Sequence, residues 1–394
     1  MRKHWIDNLR WVTVLLVLLY HVFYFYNNKG VIGGIGGFGD GPQYQDVVMY
    51  ILYPWFMPLL FILAGISARY ALEKHSAKEW FKDRTRKLLV PSTIGLFVFG
   101  FIVGWFNSRL APTDALAGLP GPVKYIIWAI SGTGPLWFIQ DLWLFSLLIL
   151  LVRKIDGKNR FYDTCGKIGI VPLILLGVFF WLGHKTLILE PNPASADGLL
   201  NLYKPIFYAI PVLMGYLIFA HDKVQDILGR LWRPLMLCAS SAGILLTVTT
   251  FGEDNSLPQY LMSPLNNIYA WLMCLAMMGW FKAKFDRTGK FAGYMTGSSY
   301  GIYIVHYLVI AAIGTLLKVK TGMPPACMYI ILTTAVFTLS PLLYEIIRRI
   351  PFLRWCILGK DNQNLKYYET QTFVDRPCGI NPYTHELMQQ HQHS

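Results

Sequence analysis

Arg10 and His21 are the side chains best placed to do chemistry in this 394-residue chain. They lie on its first long apolar run with ten residues between them. Eleven positions are almost three helical turns, so at about 100° per residue both leave nearly the same face, roughly 16 Å apart along the axis. An ionisable group within a membrane helix is costly and marks a functional site by default. Imidazole is the usual general base because its ordinary pKa, about 6.5, lies near working pH. A buried His21 can take a proton from a hydroxyl as that oxygen attacks an electrophile. Read alone, His21 equally suits an interhelical hydrogen bond, and Arg10 alone can snorkel to the interface. Their shared face is what joins them into one hypothesis.

Other residues at matching depth extend it. His306 falls about ten residues into a later apolar run of the same direction, which brings it level with His21 and makes it the second candidate catalytic residue. A lone histidine there is as often a packing hydrogen bond. Asp141, expected nearer the outer face, can pair with a cation, orient a histidine or face a wet cavity. Tyr20, Tyr24, Tyr300 and Tyr303 supply hydroxyls, the last two being the nearest candidates for an oxyanion donor. Trp137 and Phe138 read either as an interfacial aromatic belt or as a stacking surface for a sugar. The basic stretch Lys82, Arg84, Arg86 and Lys87, in a short segment with Trp80 and Phe81, reads as an inner-surface helix that anchors topology or binds phosphoryl groups.

Two motifs of soluble enzymes are set aside. Gly34–Gly39 loosely matches a dinucleotide glycine loop but follows no strand. Gly297-Ser298-Ser299-Tyr300-Gly301 matches G-x-S-x-G, but a covalent nucleophile at Ser299 needs a strand–turn–helix context, and this run enters a membrane helix.

The elements that must hold these residues follow from composition. Hydrophobic residues make up 54% of the chain and charged residues 14%, far below the roughly 25% of an ordinary soluble domain. The apolar residues come in blocks near bilayer length. The reading is an all-α polytopic bundle of about ten spans: 11–27, 47–70, 88–107, 135–152, 168–184, 204–220, 234–251, 266–281, 297–317 and 326–347. With the N-terminus inside, most of the 35 Lys and Arg fall on that side, leaving only Lys29, Arg109, Lys124, Lys185, Lys204, Lys318 and Lys320 on the other. This is the positive-inside bias. It places both termini in the cytoplasm and accounts for the net charge of +13 by topology, without nucleic acid.

No cleavage site follows the first run, so it is expected to stay as a span. The six cysteines lack metal-ligand spacing and offer no outer-face pair. Residues 1–347 read as one membrane domain and 348–394 as a polar cytoplasmic tail. His385, His391 and His393 in that tail are read as solvated, and no metal site is expected.

Four segments in order resemble the acyltransferase-3 family of membrane-bound O-acyltransferases. These are Asp7-Asn8-Leu9-Arg10 with His21; the basic stretch with Arg84, Lys87 and Pro91; Gly134-Pro135-Leu136-Trp137-Phe138; and Ser299-Tyr300-Gly301-Ile302-Tyr303-Ile304-Val305-His306. The resemblance implies ten spans, functionally required Arg10 and His21, an acyl-CoA donor (acetyl-CoA above all) entering from the cytoplasm, and a carbohydrate acceptor reached from outside. Acyl-CoA is a co-substrate, and no bound cofactor is expected. CoA is a polyanion, so its phosphates suit the inner side, where Arg10, Arg84, Arg86 and Lys87 lie. The rival reading is a transporter or proton-coupled flippase with His21, Asp141 and His306 as a relay; the absence of an internal repeat weighs against it.

Overall fold

The computed structural model describes residues 3–27, 44–110, 116, 118–187, 205–252, 257–320 and 323–360. The glycine loop 34–39 and the tail with its three histidines lie outside these residues. The described chain is helical, with no strand.

In order, the helices are α1 (His4–Phe25), α2 (Val47–Lys74), α3 (Ala77–Arg84), α4 (Val90–Gly95), α5 (Phe101–Leu110), α6 (Gly121–Ser131), α7 (Trp137–Ile155), α8 (Arg160–Cys165), α9 (Ile170–Leu187), α10 (Pro205–Met214), α11 (Asp222–Thr250), α12 (Leu257–Met262), α13 (Pro264–Lys284), α14 (Lys290–Lys320), α15 (Pro325–Arg349) and α16 (Pro351–Leu358). Eight segments among the described residues are long and apolar enough to cross a membrane. The two remaining expected spans, 204–220 and 266–281, coincide with the shorter apolar helix Ile206–Phe219 and with α13. The protein is therefore a polytopic helical bundle.

Local sequence explains the breaks. Ser76 caps α3 through a reciprocal pair with Glu79, closing the orphan amides at its start. Pro264 and Pro325 stand in the first turns of α13 and α15, where no amide donor is required. Pro54 and Pro58 lie inside α2, and the Tyr50 carbonyl that Pro54 frees accepts from the Tyr260 hydroxyl at 3.4 Å. The basic stretch does not form a separate surface helix. Instead α3 runs through π-helical turns at Thr85–Leu89 and Leu96–Gly100 into the third span, making one segment from Ala77 to Arg109.

α1 packs against α2, α13, α14 and α15, which makes it a central helix of the bundle. Close packing of α2 needs glycine. A Cβ on Gly65 would lie 2.1 Å from the Val212 carbonyl oxygen, and one on Gly215 2.1 Å from that of Ile62. Small residues at such crossings let helix backbones touch in a lipid solvent.

The compact unit runs from Met1 to Gly359, so α16, past the boundary drawn at 347, packs with the bundle. Cys356, Ile357 and Leu358 are buried. Gly359 ends α16 in the left-handed region (φ 61°), and a Cβ there would meet the Arg86 carbonyl oxygen at 2.4 Å. The end of α16 thus lies directly on the basic stretch.

Candidate active site

The two candidate histidines meet. His21 on α1 and His306 on α14, 285 residues apart, approach with Nδ1 of the first 3.0 Å from Nε2 of the second. Their ring centroids are 5.0 Å apart. His306 is fully buried and His21 partly so. Nδ1 of His306 also meets the carbonyl oxygen of Tyr303, one turn earlier. Tyrosines surround His21: the rings of Tyr20, Tyr307 and Tyr24 lie edge-on to it at 5.3, 5.4 and 6.2 Å. Tyr20 is itself stacked between Tyr24 and Tyr53. Rings so interlocked leave the imidazole few orientations.

The third resembling segment abuts the fourth. Gly134–Leu136 forms a single 3-10 turn before α7. Gly134 adopts φ 40°, and any Cβ would press on the Tyr307 ring at 3.0 Å. Tyr303 donates its hydroxyl to the Pro135 carbonyl, and its ring meets Phe138 edge to face at 5.9 Å. The turn bearing His306 is thereby tied to α7. Trp137 packs inward, 5.4 Å from Tyr208 and 6.2 Å from Phe61, inside the bundle's aromatic core. Asp141, one turn further, is buried and within electrostatic reach of Tyr303.

Arg10 turns to another neighbour. Its guanidinium donates to Asp7 at 3.1 Å and to the Ser67 hydroxyl of α2 at 2.5 Å. Ser67 in turn donates to the Leu63 carbonyl at 2.6 Å. Arg10, Asp7, Ser67, Lys3, Tyr70 and His221 are among the residues lining a cavity of about 660 Å³ at the end of the bundle that carries the start of α1. Lys3 bridges Asp222, Tyr70 and Gln225 there. Burial opposes its charge, but the hydrogen bonds to Asp222 and Tyr70 prevail and hold the ammonium above its ordinary range. His221 stacks on Tyr162 with centroids 3.8 Å apart and donates from Nε2 to the Tyr162 carbonyl at 2.9 Å. Burial lowers the His221 pKa, so at neutral pH this imidazole is uncharged. Burial pushes the Tyr162 phenol up to about 12, against the pull of the Arg69 guanidinium 3.5 Å from its ring.

A second cavity, of about 650 Å³, shares Ser67 with the first, so the two adjoin. Its walls include Trp80, Arg84, Lys87, His75 and Tyr300. Arg84 lies over the Trp80 ring at 5.3 Å, and Tyr300 donates its hydroxyl to the Lys87 carbonyl within the π-helical turn. Arg86 is not on this wall; it pairs with Asp83 at 3.0 Å. Lys87 reaches the same carboxylate at 2.7 Å. Ser299 sits buried in mid-helix on α14, without the sheet a nucleophile elbow requires.

Of the residues singled out from the sequence, His21 and His306 are brought together, and Arg10, Arg84 and Lys87 line the two cavities; Ser67, Tyr70, His221 and Tyr307, which the structure places beside them, were not singled out. Ser67 carried one faint signal, a hydroxyl in the apolar run of α2 two residues before Arg69. Tyr307 adjoins His306 and was legible only as another aromatic residue.

Compared with known proteins, residues 3–345 match the family model Acyl_transf_3, described as an acyltransferase domain. No curated protein and no solved structure matches the chain.

Proposed function

The chain belongs to this acyltransferase family, and from that premise we propose an integral membrane O-acyltransferase that moves an acyl group, acetyl in the simplest case, from acyl-CoA to a hydroxyl of an extracytoplasmic carbohydrate. The plasma (inner) membrane is its proposed location. The observation that carries the mechanism is the 3.0 Å contact of His21 with His306 within the bundle, on the same helix that sends Arg10 into a polar cavity at one end.

In this reading His21 is the general base. It removes the proton of the acceptor hydroxyl as the oxygen attacks the thioester carbonyl. An O–C(acyl) bond forms, the C–S bond breaks, and the proton passes from His21 to the departing CoA sulfur, which leaves as a thiol. Arg10, Arg84 and Lys87 face the two adjoining cavities, where cationic donors suit the phosphoryl groups of the donor. The long pantetheine arm would carry the thioester from that end toward His21. Few waters can compete with the acceptor inside a packed bundle, which favours transfer over hydrolysis.

The test is CoA thiol release by purified protein given acetyl-CoA, with and without a panel of sugar acceptors. Release stimulated by an acceptor and lost in His21→Ala supports the reading. Thioester turnover that survives in His21→Ala ends the mechanism. Solute accumulation in proteoliposomes without donor consumption would favour the transporter instead.

A further inference from the structure

His306 has 0% exposure, yet both its ring nitrogens have partners. Nδ1 meets the main-chain carbonyl of Tyr303, and a carbonyl oxygen only accepts, so Nδ1 carries the hydrogen. Whether Nε2 also carries one is decided by burial. A doubly protonated ring would be a cation without exposed surface, facing a neutral carbonyl and another imidazole, and an uncompensated buried charge is strongly disfavoured. His306 is therefore neutral, and its Nε2 presents a lone pair. The hydrogen in the 3.0 Å contact then belongs to His21. His21 donates from Nδ1, and in its neutral form, the form that can act as a base, its lone pair stands on Nε2.

We infer that His306 is a positioning residue that fixes the tautomer and ring plane of His21, making His21 Nε2 the basic atom. The inference rests on the acyl-transfer reading above and assigns His306 a narrower role than that of second catalytic residue: with one nitrogen on Tyr303 and the other on His21, it has no lone pair to offer a substrate. The acceptor hydroxyl must then be met at His21 Nε2, the ring nitrogen not turned to His306. When the proton arrives at Nε2, the His21 imidazolium keeps its Nδ1–H on the His306 lone pair. That hydrogen bond strengthens as its donor becomes charged, so the pair favours the state in which His21 holds the substrate proton. The proton on His306 Nδ1 never moves. Tyr303 serves the same end, since its hydroxyl on Pro135 anchors the turn whose carbonyl holds His306.

The test reads the tautomer directly. Solid-state NMR of native protein labelled with [15N]histidine, assigned with His21→Ala as the blank, is expected to show the hydrogen on Nδ1 and an unprotonated Nε2 for His21 at neutral pH. In His306→Ala the same ring is expected to populate the Nε2–H form. A proton found on His21 Nε2 in the native protein, or a tautomer unchanged in His306→Ala, would overturn the assignment. The kinetic arm uses His306→Gln, whose Oε1 can accept from His21 Nδ1. His306→Ala is expected to lower kcat by about 10–100-fold, by analogy with the loss of a partner that orients a metal-ligating histidine, with the donor KM held. His306→Gln is expected to recover most of that loss. A Gln variant no better than Ala, or a KM that moves as far as kcat, counts against positioning. The native spectrum requires neither turnover nor a variant at 306, so it separates the failure of this assignment from the failure of the acyl-transfer reading.

Discussion

The histidine pair and the basic cavity walls hold their polar groups in opposite ways. His21 and His306 meet across two long helices, and His306 is also tied to the Tyr303 main chain one turn earlier on its own helix. Lys87 on the cavity wall, and Arg86 beside it but off the wall, are held by Asp83, four and three residues earlier on the same segment, in half-exposed pairs. Local pairs of this kind contribute about 0–1 kcal/mol and weaken with salt. The first arrangement suits a reacting atom that must keep one orientation, where a displacement of 1 Å is costly. The second suits recognition of a flexible polyanion by charge, where several weak contacts add up.

The largest expected effect tests the first region. His21→Ala should reduce acceptor-dependent CoA release by about 10²–10⁴-fold, the usual contribution of a general base, while the protein still inserts and purifies as the native one does. Next comes Arg10, which belongs to both worlds because it is tied to Ser67 yet faces the cavity. Arg10→Ala should raise the acyl-CoA KM roughly tenfold, as loss of one charge-assisted contact does, with a much smaller change for the acceptor. Equal changes for both substrates would remove Arg10 from the donor site.

Smaller effects sharpen the second region. Lys87→Ala and Arg84→Ala should each weaken the donor a few-fold, more at low ionic strength than at high. Arg86→Ala should do less than either, because Arg86 is off the cavity wall; a larger effect for Arg86 would reverse the assignment of that wall. The smallest concerns stability. The folded-state pKa of His221 is lowered by burial, so the folded protein binds this proton less readily than the unfolded chain. Its contribution is complete above the ordinary imidazole range and falls away as pH drops below about 6.5. His221→Gln should flatten the thermal stability between pH 7 and 5 in detergent, and an unchanged slope would show that other groups set it.

Much of this architecture was legible beforehand, for a physical reason. The bilayer imposes length and polarity on each segment, so spans show in composition alone. All ten expected segments fall on helices, although two of them lack the length or hydropathy of the other eight. The basic stretch was legible as charge but not as shape. No sequence period announces that π-helical turns carry α3 into the third span, or that Gly359 returns to rest on Arg86. Trp137 and Phe138 at the start of an apolar run left two readings open, and only packing against Tyr208 and Tyr303 draws them into the core.

By itself, the order of residues determined the membrane class, the place of Arg10 and His21 on one face, and the matching depth of His306. These are properties of a single helix, governed by rise, period and the cost of burying charge. Tertiary structure decided that His21 meets His306, that Arg10 turns to Ser67, and that Lys87 faces a cavity while Arg86 does not. Those outcomes depend on how helices rotate and slide against one another, and glycine contacts and interlocked aromatic rings far apart in the chain set that packing.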